Sequence, residues 1–129
     1  MRKSFIKKIK NGEELTKENN RLVLNVAFNY GGRDELVHVI RKMAADGLSP
    51  DEINMEAVED YLFTAGSPDP DLVIRTSGEQ RISNFLLWQS AYSEWYFPEV
   101  FWPDFNREEL LNAIVEYSDR DRRFGLVQS

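Results

Sequence analysis

Asp71-Leu-Val-Ile-Arg-Thr76, continuing into Ser77-Gly-Glu-Gln-Arg-Ile-Ser83, is a short apolar segment that opens directly into a polar loop. Turn material, Gly66-Ser-Pro-Asp-Pro70, stands ahead of it, and an aliphatic run bounded by Pro and Gly reads as a buried strand. Upstream, Leu22-Val-Leu-Asn-Val-Ala-Phe28 is nearly all apolar and reads as another strand, buried on both faces and ended by Asn29-Tyr-Gly-Gly32. Between the two, from Arg33 to Ala45, Leu36, Val37, Ile40, Met43 and Ala44 recur at helical spacing, with Gly47 as the stop. Strand, helix and strand in this order predict an α/β fold, a mainly parallel sheet flanked by helices. In such folds ligands gather at the carboxyl ends of the strands, and Arg75 sits at one of them.

The flanking sequence extends this frame. Ser49-Pro-Asp-Glu52 has the form of a capping box with Pro at the first helical position, and Asn54 is placed to cap a further turn, Met55 to Phe63. Ser83 to Tyr92 is apolar on several sides and predicts a largely buried helix, and Glu94-Trp-Tyr-Phe97 a third strand. Asn106 with Glu109 forms a capping pair for a final helix whose inner face would be Leu110, Leu111, Ile114 and Val115. Nine of the 16 aromatic residues fall between Phe85 and Phe105, which reads as a packed core rather than a lipid-binding or base-stacking surface.

Composition bounds the function. At 129 residues, 42% hydrophobic and 29% charged, the chain has room for one core and no second full domain. With no Cys there is no disulfide, thiolate metal site or cysteine nucleophile, and a reducing cytoplasm suits such a chain. The single histidine, His38, excludes a multi-histidine metal site, and its place between Val37 and Val39 points to a structural or surface role. The longest apolar stretch, Leu22–Phe28, is far short of the ~20 residues a spanning helix needs. A net charge of −6 argues against nucleic acid as a partner. Seven cations lie in residues 1–21; Met1 to Lys10 reads as the end of a solvated helix, and its charge would allow contact with anionic lipid headgroups.

From Met43 to Asn106 the only cations are Arg75 and Arg81, both in one loop. Guanidinium forks grip phosphate oxygens, so two arginines a loop apart can hold a diphosphate from two sides. Thr76, Ser77 and Ser83 add hydroxyl donors, Gly78 allows close backbone approach, and Ser83, if it opens a helix, adds backbone donors. The same residues equally allow Arg75 and Arg81 to pair with Glu79 or neighbouring acids. Glu94 lies in an apolar-aromatic stretch where an unpaired carboxylate is costly to bury. It is read either as a magnesium ligand beside a diphosphate or as a structural carboxylate.

The run from Asp69 to Phe97 closely resembles the C-terminal signature of the cis-prenyltransferases, and Asn25-Val-Ala-Phe-Asn-Tyr-Gly-Gly-Arg33 and Trp102-Pro-Asp-Phe105 resemble that family in the expected order. The resemblance covers about residues 12–126. It implies an enzyme that condenses isopentenyl diphosphate with an allylic diphosphate to give a long-chain cis-polyprenyl diphosphate. Arg75, Arg81 and Ser83, with Ile82 beside them, match positions that bind the diphosphate of isopentenyl diphosphate, and Glu94 matches a ligand of Mg2+. Arg123-Phe-Gly125 resembles the Arg-x-Gly element that reaches a neighbouring subunit's site, so Arg123 and Gly125 imply a homodimer; the expected location is the cytoplasm, with peripheral contact at the inner membrane face. Family members carry a further N-terminal half with an aspartate motif for the allylic diphosphate and magnesium; the 129 residues match only the C-terminal portion of the domain. The expectation is that this chain alone is poorly active or inactive. The alternative expectation is a non-catalytic partner subunit of a heteromeric prenyltransferase.

Overall fold

The computed structural model describes residues 3–120. The described residues begin with α1 (Lys3–Thr16), continue through an irregular segment to α2 (Gly32–Ala45), pass a 3-10 turn (Pro50–Glu52) and α3 (Met55–Tyr61), and reach β1 (Leu72–Ile74). After a long connection come β2 (Glu94–Tyr96), a second 3-10 turn (Trp102–Asp104) and α4 (Arg107–Ser118). The two strands pair in parallel, with Leu72, Val73 and Ile74 opposite Glu94, Trp95 and Tyr96. Bonds from the Glu94 amide to the Asp71 carbonyl and from the Arg75 amide to the Tyr96 carbonyl, 2.9 Å each, extend the ladder by one residue at each end. The expected α/β arrangement, a parallel sheet with helices, is the one present.

Local chemistry sets the element ends. Ser49 and Glu52 close a reciprocal capping box, Asn54 accepts from the Ala57 amide at 2.8 Å, and Asn106 accepts from Glu108 and Glu109. Each such cap satisfies a helix donor that has no partner within the helix. Gly47, at φ +77°, takes the left-handed turn that follows α2 and that a Cβ would oppose. The core sits between α2 and α3, where Val39, Met43 and Leu62 are buried and Leu36, Val58 and Trp88 pack against them. Burial of each of the three is worth roughly 1.5–3 kcal/mol.

Four expectations are corrected. Leu22–Phe28 belongs to no strand, and Leu22, Val23, Leu24, Val26 and Phe28 are 65–79% exposed; an apolar run without a neighbouring strand has nothing to complete a ladder with. Ser83–Tyr92 is a succession of turns, not a helix, because Ser83, Asn84 and Leu86 hold φ of 50°, 65° and 44°, which no right-handed helix accommodates. The apolar faces also differ. α2 buries Glu35, Val39 and Met43 and leaves Val37 and Ile40 exposed, while α4 buries Ala113 and leaves Leu110, Leu111, Ile114 and Val115 exposed. The aromatic stretch is only partly a core: Trp95, Tyr96 and Phe97 are half-buried, but Tyr92, Phe101 and Trp102 are open to solvent.

Candidate functional site

The carboxyl end of β1 delivers Arg75. Its Nη1 donates to the Arg81 carbonyl at 2.5 Å and to Ser83 Oγ at 3.1 Å, so the loop folds back over the guanidinium. Ile82, between those two partners, lines a surface cavity of about 180 Å3 together with Val73, Ile74, Arg75, Ser83, Phe85 and Trp95. One cavity is thus lined by a cation, a hydroxyl and aliphatic and aromatic carbon. Its volume lies below the ~300 Å3 at which drug-sized ligand sites begin.

The Arg81 side chain is exposed and forms an ion pair with Glu79, the alternative that the sequence left open. An exposed pair of this kind is worth at most about 1 kcal/mol, so an anion with two charged oxygens competes for Arg81 at little cost. The amides of Ser77 and Gly78 donate to the carbonyls of Val100 and Pro98 at 2.9 Å each, and Ser83 opens no helix whose amides would face an anion.

Glu94 is placed at the start of β2, and its Oε2 accepts from Arg120 Nη1 at 2.9 Å. Arg120 also donates to the Trp95 carbonyl at 2.8 Å and pairs with Glu116, and these carboxylates raise its affinity for its proton. Among the described residues no group of three or more His, Asp or Glu side chains could hold a metal ion. His38 is exposed and its ring lies 5.0 Å from that of Phe63, the surface role expected of it. Arg123 and Gly125 lie outside the described residues. No helix among the described residues is long and apolar enough to cross a membrane.

Sequence reasoning missed a buried polar cluster behind the loop. Glu35 is 1% exposed and Gln89 2%. The carboxylate accepts from Tyr30 Oη at 2.5 Å, the Phe63 amide at 2.8 Å and Gln89 Nε2 at 3.2 and 3.3 Å. Gln89 Nε2 also donates to Thr64 Oγ1 at 2.9 Å, which joins α2, the turn after α3 and residues 83–93 through one carboxylate. The only signal in the sequence was an acid between helical apolar positions, and such residues ordinarily face water.

The carboxyl end of the parallel strand pair thus places an arginine and a serine hydroxyl beside an apolar-lined cavity. The profile of the prenyltransferase family described as "Putative undecaprenyl diphosphate synthase" matches residues 1–125, and the chain belongs to that family. The isoprenyl transferase of Clostridium perfringens is 56% identical over 119 residues, 89% of this chain and 47% of the relative. That of Heliobacterium mobile is 56% identical over 117 residues, 88% of this chain and 45% of the relative. The chain spans about half the length of the curated relatives it matches. Among solved structures, lavandulyl diphosphate synthase from Lavandula x intermedia, in complex with dimethylallyl diphosphate, superposes with a TM-score of 0.93 at 38% identity, over 98% of this chain and 56% of that one. A probable undecaprenyl diphosphate synthase from Campylobacter jejuni gives 0.84 at 34% identity, over 98% and 58%.

Proposed function

We propose that this chain carries the isopentenyl-diphosphate half of a cis-prenyltransferase site like that of an undecaprenyl diphosphate synthase. The reaction is condensation of isopentenyl diphosphate with an allylic diphosphate. The observation that carries the reading is the mixed cavity: Arg75 and Ser83 line it, with Ile82, Phe85 and Trp95 among its apolar lining. An alkyl diphosphate is the ligand class with that polarity. Arg75 and Arg81 hold the diphosphate oxygens, Ser83 donates through its hydroxyl, and the apolar lining keeps water from the five-carbon tail and fixes the alkene's direction. Membership of the family, and a structural relative solved with dimethylallyl diphosphate, support a diphosphate as the charged end.

Magnesium is the cofactor the resemblance implies, with Glu94 as its ligand and with the role of neutralising a departing diphosphate. Here that carboxylate is matched to Arg120. Magnesium is ordinarily held by one or two carboxylates plus phosphate oxygens, so Glu94 as paired does not form the site, and no step is assigned to the metal. The same reading gives a homodimer in which Arg123 and Gly125 serve the neighbouring site, in the cytoplasm at the inner membrane face.

Trp95 lines the cavity, and its fluorescence reports occupancy. Titration with isopentenyl diphosphate is expected to give a saturable change that isopentenol, which lacks the diphosphate, does not reproduce. No saturable change, or the same change with isopentenol, would overturn the reading.

A further inference from the structure

We propose that Asn84 is a positioning residue for this grip: it locks residues 83–86 onto the first turn of α2 and so sets where Ser83 and Arg81 stand relative to Arg75. The inference rests on the diphosphate reading and names what shapes that site. Ser83, Asn84 and Leu86 all have positive φ, at 50°, 65° and 44°. Side chains tolerate that region only where the surroundings over-determine it, and such residues cluster at ligand clamps.

The surroundings are specific. The Asn84 carbonyl accepts from the Gly32 amide at 2.7 Å, and its Oδ1 accepts from the Arg33 amide at 2.9 Å. Both donors belong to the first turn of α2, where amides have no partner inside the helix. One residue therefore satisfies two of them while its own backbone is turned left-handed, a conformation asparagine tolerates better than most. The glycines make room for it. A Cβ on Gly31 would stand 2.8 Å from Asn84 Nδ2, and one on Gly32 would stand 2.8 Å from Leu87 Cγ. Beyond Asn84, Phe85 packs edge-on to Tyr30 with centroids 5.7 Å apart, and Gln89 enters the Glu35 carboxylate. With the segment pinned at both ends, Ser83 Oγ and the Arg81 carbonyl converge on Arg75 before any ligand arrives, which lowers the ordering cost of binding.

The test is calorimetric titration of the full chain with isopentenyl diphosphate, unaltered and as Asn84→Ala, Asn84→Gly and Asn84→Asp, with urea unfolding of each. Asp keeps an acceptor for the Arg33 amide, at a helix N-terminus where negative charge is favourable; Gly keeps the left-handed backbone and loses only that acceptor. Expected are affinity losses of about tenfold in Ala and Gly and of no more than about threefold in Asp, a tenfold loss corresponding to about 1.4 kcal/mol. If Ala unfolds, Gly against Asp carries the comparison. Unchanged affinity in a folded Gly variant, or equal losses in Gly and Asp, would overturn the positioning role alone. A lack of binding by the unaltered chain would overturn the diphosphate reading and this inference with it.

Discussion

Arg120, just past the end of α4, closes on Glu94 at the start of β2, with Nη1 2.9 Å from Oε2. The pair is about one-third exposed, so its net worth is at most about 1 kcal/mol. Its larger effect is on the carboxylate's availability: a divalent cation competes with a guanidinium that is already in place. Arg120→Ala should lower stability by about 1 kcal/mol or less in urea unfolding. It should also lower the Mg2+ concentration at which the isopentenyl-diphosphate complex forms. An unchanged magnesium midpoint would count against the magnesium role that the family resemblance implies for Glu94.

Glu35 sets the stability of the region behind the loop. Removing its carboxylate strands the Tyr30 hydroxyl, the Phe63 amide and the Gln89 amide group, all donors to it. Each buried donor left unmade costs about 1–3 kcal/mol, and relaxation recovers part of the sum. Glu35→Ala should therefore destabilise by about 3 kcal/mol or more, and Glu35→Gln by less, because the amide still accepts. Urea midpoints at constant m would show it.

Tyr30 gives that cluster an alkaline signature. Burial, first, and the hydrogen bond to Glu35, second, hold its hydroxyl proton well above the ordinary tyrosine value of 10.0. The folded chain then keeps a proton that the unfolded chain sheds above that value. This stabilisation is complete below pH 10 and is lost as pH rises toward the folded value. Tyr61, which donates to Asp46, shifts in the same direction. Tyr30→Phe should flatten the decline in melting temperature above pH 10; an unchanged slope would mean the shift is absent.

What the sequence made legible was local chemistry. The caps at Ser49, Asn54 and Asn106 depend on residues two or three positions away, and all three are where the pattern put them. The strands around Leu72–Ile74 and Glu94–Tyr96 were legible as short apolar runs between turn signals, and Arg75 and Ser83 were legible as members of one loop, whereas Ile82 entered only through the family resemblance. The failures depend on distant partners. The turns at 83–92 are imposed by Gly32 and Arg33, 51 residues from Asn84 in the second case, and the pattern of apolar residues cannot show that. Glu35 is buried because Phe63 and Gln89 reach it from 28 and 54 residues away. Strand pairing of Leu22–Phe28 needs a neighbour, and hydrophobicity does not supply one.

That unpaired segment should govern solution behaviour. Leu22, Val23, Leu24, Val26 and Phe28 are all exposed along this run, an apolar surface of the kind that recruits another chain. Self-association at micromolar concentration is expected in sedimentation velocity. Val26→Lys should shift the chain toward monomer, and an unchanged distribution would place the contact elsewhere.

The most direct test of the central claim is the affinity of the chain for isopentenyl diphosphate measured beside Arg75→Ala and Arg81→Ala. Hydrogen bonds to charged groups are worth about 1.5–3 kcal/mol, so each variant should lose more than about tenfold in affinity while its unfolding midpoint stays close to that of the unaltered chain. Equal affinity in all three would contradict the diphosphate grip.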